Sequence, residues 1–307
     1  MKRSFPFIVL LLFAVLLVNS CKKNKVEKKE PPKPAVTTVA TGLNAIAIES
    51  DHNGKLYILS PGKIRVCENG QLKTLGLPER VFSDFTFYED GDISYGPPKY
   101  IAADRKGMIF LAQDNGFRMV YTDGRIATYT EREVGWKVSG IRDLAVSGTS
   151  EVFYTAPTDH QGKLDNYYSG LLPLNVDFNG LNWKTWDFGT VNTLDISDGN
   201  ILWFGTDKGI IKLEYNGYNI IKAAHTGSSN GTQTEGPVAQ VKIGNVTRLV
   251  ACKDQAVICF IDEGVLKQLK DGKVKAIMPM PDTPIALSRD AKTLYFLQNG
   301  DLKMIAL

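Results

Sequence analysis

The chain has 307 residues, 43% apolar, 22% charged and 10% aromatic, with a formal net charge of +3. Residues 22–34 carry six lysines and two glutamates; without them and without Lys2 and Arg3 the remainder stands at −3. The basic isoelectric point therefore belongs to a tail, and a mildly acidic body excludes the basic face of a nucleic-acid binder.

In chain order the first element is Met1-Lys2-Arg3, then an almost wholly apolar run from Phe5 to Val18 broken by Pro6, then Asn19, Ser20 and Cys21. Positive start, short apolar core and small residue at the cut make residues 1–20 a predicted signal peptide. The run is shorter than the roughly 20 residues of a membrane span. Leu17-Val18-Asn19-Ser20 before Cys21 resembles a bacterial lipobox. That resemblance implies lipidation of Cys21, and two or more acyl chains anchor a protein stably. An ordinary secreted protein cut near Ser20 is the alternative. Residues 21–34 then read as the lipidated cysteine and a flexible tether, polar and stiffened by Pro31, Pro32 and Pro34. A basic tail beside a lipid suits anionic headgroups. Lys22 and Lys23 resemble neither an acidic surface-export tag nor an inner-membrane retention aspartate. The expected location is the cell envelope, on the periplasmic face of the outer membrane. Cys67, Cys252 and Cys259 lie in apolar runs without zinc-ligand spacing and read as buried thiols.

Residues 35–307 form the predicted folded body. Short apolar runs alternate with Gly, Asn and Asp turns, the pattern of an all-β chain. One phrase recurs six times. Its first strands are NAIAIES at 44, KYIAADR at 99, RDLAVSG at 142, NTLDISD at 192, TRLVACK at 247 and PIALSRD at 284. Its second strands include KLYILS at 55, MIFLAQ at 108 and ILWFGT at 201. Asn69-Gly70, Asp123-Gly124, Asn216-Gly217 and Asp271-Gly272 supply the positive φ of the later hairpin turns. Six four-stranded copies predict a six-bladed β-propeller. The last copy has room for three strands only, and residues 35–41, AVTTVAT, supply the fourth and close the ring.

The fourth copy, with LWFGT and a Lys-Gly turn, resembles the repeats of bacterial sensor propellers; residues 231–254 resemble the segment between blades of the NHL family. Both resemblances imply the propeller fold rather than an activity. Aligned copies place Ala45, Tyr100, Asp143, Thr193, Arg248 and Pro284 at one position at the start of the inner strands, with Asp195 one step deeper. Tyr100, Asp143, Thr193, Asp195 and Arg248 are thus candidate ligand-binding residues at a channel mouth, with a structural pairing of Asp143 and Arg248 equally open. The long segment at 78–98 adds Phe85, Tyr88 and Tyr95 beside acids, a surface that could stack on a glycan. His52, His160 and His225 fall in three separate loops, against a three-histidine metal site. The leading expectation is a membrane-anchored, non-enzymatic binding or scaffolding propeller without cofactor, recognising a protein or glycan partner. The alternative is a metal-dependent hydrolase or lyase similar to the gluconolactonase family, which holds a divalent cation in the channel through Glu, Asn and Asp. In that register this chain offers Asn44, Asp143 and Asn192, and no glutamate: Glu49 lies at the far end of its strand.

Overall fold

Runs such as LYILS and ILWFGT are apolar and carry β-branched and aromatic residues that favour extended chain. In the computed structural model they become the second strands of radial sheets. The structure describes residues 34–68, 70–77, 81, 86–87, 93–94, 97–113, 116–130, 141–148, 152–155, 167–169, 190–198, 201–215, 220–228, 230–254 and 256–307. The described residues contain no α-helix; 3-10 conformation occurs at Val238–Gln240 and at Val81.

Strand β1 (Thr37–Ala40) stands apart from the sheet that follows it in sequence. The first sheet is β2 (Ala47–Ser50), β3 (Leu56–Ser60), β4 (Lys63–Glu68) and β5 (Gln71–Thr74). A short hairpin, β6 (Thr86–Phe87) and β7 (Ile93–Ser94), precedes the second sheet. That sheet is β8 (Tyr100–Ala103), β9 (Ile109–Gln113), β10 (Gly116–Val120) and β11 (Ile126–Thr130). The third has β12 (Asp143–Val146), β13 (Val152–Thr155) and β14 (Tyr167–Ser169). The fourth has β15 (Val191–Ser197), β16 (Ile201–Thr206), β17 (Gly209–Tyr215) and β18 (Ile220–Ser228). The fifth begins with an added edge strand, β19 (Gly236–Pro237), on β23 (Lys273–Pro279). Its other members are β20 (Val246–Ala251), β21 (Val257–Asp262) and β22 (Val265–Lys270). The last is β24 (Ile285–Leu287), β25 (Thr293–Gln298) and β26 (Asp301–Ala306), completed by β1.

Within each sheet neighbours pair antiparallel, and the first strand of each phrase lies innermost. The inner strands touch in a closed cycle: β2 on β8, β8 on β12, β12 on β15, β15 on β20, β20 on β24 and β24 on β2. Six apolar clusters follow the same cycle, one between each pair of adjacent sheets. Each sheet is covered on both faces, so its second strands are buried on both sides rather than alternating; all five residues of β3 are buried. The outermost strand of the first sheet, β5, is exposed along its length. This is a β-propeller. The expectation of six four-stranded blades needs correction in its count: five sheets have four strands or more, and the third has three described strands. Residues beyond Ser169 in that copy lie outside the described residues.

The chain ends join as the leftover strands required. Thr37 pairs with Met304 and Thr38 with Lys303, and a bulge follows before Ala40 meets Leu302. Gly205, in LWFGT, marks the tightest approach between the fourth and fifth sheets. A Cβ there would stand 2.5 Å from Val246 Cγ1 and 2.6 Å from Thr193 Cγ2. Only glycine lets β16 lie so close to the channel wall.

Candidate functional site

The starts of the inner strands converge on the axis and enclose a cavity of about 70 Å³. Tyr100, Asp143, Thr193, Arg248 and Pro284 all line it, as the aligned copies predict. The first copy departs by one residue: Ile46 lines the cavity, while Ala45 is buried with its N–H on the Gly300 carbonyl at 3.0 Å. Asp195 is also buried, 3% exposed, and lies outside that lining.

Asp143 is the most tightly held group at this mouth. Its Oδ2 accepts the Thr193 hydroxyl at 2.6 Å and the Leu194 N–H at 3.0 Å, and Oδ1 accepts the Leu144 N–H at 2.9 Å. Thr193 Oγ1 in turn accepts the Leu249 N–H at 3.2 Å, so one chain of bonds links the third, fourth and fifth sheets. Burial raises the Asp143 pKa, against the pull of the Arg248 charge and of these donors. The two residues do not pair directly as the sequence allowed. Arg248 Nε instead lies 2.9 Å from Asp282 Oδ1, an ion-pair approach without hydrogen-bond geometry. Arg248 is 27% exposed and Asp282 55%, so this cation sits at the rim with its partner in solvent.

The opposite ends of the inner strands are sealed. Asp51 Oδ1 accepts the N–H groups of Asn53 and Lys55, and Asp104 Oδ1 those of Lys106 and Met108, the same turn in two copies. His52, 2% exposed, reaches across: Nδ1 meets Asp198 Oδ1 at 2.9 Å and Nε2 the Val146 carbonyl at 3.2 Å. Arg105 holds the other Asp198 oxygen at 2.8 Å, and Arg289 holds Asp254 at 2.5 Å. His52 thus serves as a cross-brace.

The three candidate metal ligands are not brought together. Asn192 donates its amide to Asn245 Oδ1 at 2.9 Å and to the Val246 carbonyl at 3.1 Å. Asn44 is an exposed left-handed residue, φ 50°, with its Cα against Gly300. Neither lines the cavity with Asp143. Among the described residues no three His, Cys, Asp or Glu side chains gather to hold a metal ion. The donors present do not fit the divalent cation of the gluconolactonase pattern. Phe85, Tyr88, Tyr95, His160 and Cys21 lie outside the described residues. Cys67, Cys252 and Cys259 form no disulfide, Cys67 being only half-buried, and burial pushes the Cys259 thiol up. A larger hollow of about 820 Å³ opens between the outer strands of the first and second sheets. Lys55 and Glu68 on its wall approach each other at 3.5 Å.

Sequence reasoning set Glu49 aside as lying at the far end of its strand, whereas it lines the cavity, and it missed Lys253 and Asp282. Lys253 Nζ lies 2.6 Å from Asp195 Oδ1 and 3.2 Å from Glu49 Oε1, with all three side chains largely buried. Lys253 stands past the end of β20, and Asp282 lies in the Pro281-Asp282-Thr283-Pro284 turn before β24. An acid before a prolyl turn at a strand start was the available signal for Asp282.

No protein-family model matches the sequence, and no curated protein matches it. Solved structures do resemble the fold. A gluconolactonase of Xanthomonas campestris is similar over 91% of this chain and 96% of its own, with a TM-score of 0.58 and 13% identity. A putative gluconolactonase covers 90% and 93%, at 0.53 and 13%. A protein of unknown function from Bacteroides thetaiotaomicron covers 88% and 75%, at 0.52 and 10%. Identities this low carry the propeller fold alone. The finer resemblance to NHL and sensor-type repeats finds no support among these neighbours.

Proposed function

We propose that this chain is a small-molecule propeller that works at the Tyr100–Asp143–Thr193–Arg248 mouth, with chemistry of the hydrolase type. The observation that carries it is the cavity: its polar groups gather where the inner strands begin, on a fold whose solved neighbours include gluconolactonases. A sugar lactone is the substrate class to try first. The residues at the mouth can orient such a molecule by hydrogen bonds from Arg248 and Tyr100. The dispersal of Asn44 and Asn192 supports a reaction that does not run on a channel cation. The test is acid release from D-glucono-1,5-lactone by the full chain, above the spontaneous rate and with or without chelator. We expect acceleration that survives chelation and is lost in Arg248→Ala. Strict dependence on an added divalent ion would sink the metal-free form of this reading.

A second reading is binding without turnover, of a glycan or of a partner protein. The same dispersal of metal donors favours it, because it leaves a polar mouth without an assembled reaction centre. Calorimetric heat of lactone binding with no acid release would select it.

We also propose that the propeller is held in the cell envelope through acylated Cys21, on the periplasmic face of the outer membrane. The support is the signal-peptide layout and the lipobox resemblance of residues 17–21. Radiolabelled palmitate should enter the native chain and not Cys21→Ser, which should leave the membrane fraction. Equal labelling of both would refute the anchor.

A further inference from the structure

Deeper than Asp143, one lysine serves two acids. Asp195 Oδ1 accepts Lys253 Nζ at 2.6 Å and the Ile196 N–H at 2.7 Å, while Oδ2 accepts the Ala251 N–H at 2.7 Å. Asp195 is therefore fully supplied with donors. Glu49 takes only the longer Lys253 contact, at 3.2 Å. Unlike Asp195, Glu49 lines the cavity, on the same wall as Asp143 and Arg248.

The charged groups facing Glu49 are Lys253 beyond β20, Asp195 of β15 and Asp143 of β12. Three acids and one ammonium are withdrawn from water, and Arg248, though it pulls on Asp143, is shared with Asp282 at the rim; the balance is negative charge that the interior does not solvate. A proton relieves it, and the acid with the fewest donors holds that proton most firmly. Burial pushes the Glu49 carboxyl up to about 8, Asp195 and Asp143 adding to it and Lys253 opposing it. Burial also works against the Lys253 charge, but Asp195 and Glu49 outweigh it and keep the ammonium protonated. The proton thus belongs on Glu49.

We infer that Glu49 is a neutral carboxylic acid at neutral pH and the hydrogen-bond donor at the floor of the channel, taking an acceptor oxygen of a small ligand whose other end lies at Arg248. This rests on the channel-mouth reading above. The cavity of about 70 Å³ admits a carbonyl or carboxyl group or a few waters, and no whole sugar. A ligand carrying an acceptor oxygen on a narrow end is the class that fits. A carboxylate at Glu49 would repel that oxygen; a carboxylic acid binds it.

The experiment follows glutamate side-chain carbons, isotopically labelled, by NMR in the full chain from pH 4 to 10. One resonance, absent in Glu49→Gln, should titrate near 8. In Asp195→Asn, where Lys253 serves Glu49 alone, its midpoint should fall toward the ordinary glutamate range. If every glutamate titrates in the ordinary range, the neutral acid is refuted. The second arm measures binding of D-glucono-1,5-lactam, which keeps the ring carbonyl and does not open over this pH range. Affinity should weaken about tenfold between pH 7 and 9 in the native chain and stay level in Glu49→Gln, whose amide still donates. Parallel loss in both proteins overturns the donor role. Absence of lactam binding at pH 7 counts against the channel-mouth reading and the ligand half of this inference, while the resonance reports on the proton by itself.

Discussion

The two ends of the channel are made by the same inner strands and handle polar groups in opposite ways. At the sealed end, His52, Arg105, Asp198, Asp254 and Arg289 are joined to one another or to backbone. At the open end Asp143 and Thr193 are tied down, but Arg248 Nε lacks a hydrogen-bond partner and Glu49 meets a single lysine. Charge density alone does not separate a brace from a site. The distinction is whether hydrogen-bonding capacity has been used within the protein, because a group left partly unsatisfied in a cavity binds whatever completes it.

That contrast can be broken by mutation. The largest effect is expected between the two ends, at Lys253→Met. It strands the Asp195 carboxylate without its cation and should cost about 3–5 kcal/mol, a melting decrease of roughly 6–20 °C by calorimetry. Glu49 gives the pH counterpart. Its folded pKa, about 8, lies above the ordinary 4.5, so the folded chain binds the extra proton between these values. Its contribution to stability is full below about 4.5 and falls as pH rises to about 8. Glu49→Gln should flatten that part of the melting profile. At the sealed end, His52→Ala removes bonds to the third and fourth sheets and should cost about 2 kcal/mol with lactone binding unchanged. At the open end, Arg248→Ala should do the reverse: binding is lost, while stability moves by less than about 1 kcal/mol because the Asp282 pair faces solvent. Smallest is Ala291→Gly. Ala291 sits in a left-handed turn, φ 56°, where the first and second copies have Gly54 and Gly107. Glycine should stabilise by about 0.5 kcal/mol, the steric relief being partly offset by backbone entropy.

The fold was legible because a repeat writes it several times over. Each copy shows an apolar strand and a turn, and the missing strand of the last copy is the spare strand of residues 35–41. The mouth residues were legible for the same reason, since equal positions in equal copies meet around an axis. Glu49 and Lys253 were not. Alignment compares residues at one depth, whereas the axis brings together side chains from different depths. Lys253 comes from beyond the end of its strand and spans to Asp195 in the middle of β15. Asn44 and Asn192 failed in the other direction. They stand near the right depth, but one adopts a left-handed turn and the other bonds Asn245. A side chain's heading depends on bulges such as those at Val191–Thr193 and Val246–Arg248, which a one-dimensional pattern does not record.

The pairing of β1 with β26 also sets an order of manufacture. Thr37 is among the first residues of the propeller to be synthesised and Met304 among the last, yet the two lie side by side. Chain closure of that span makes the final contact entropically expensive and slow. Intermediate sheets can stack on one another during synthesis, but the ring has two raw edges until β26 has been made. Removing β26 would take away the seat of β1. That strand therefore acts as the latch of the whole ring.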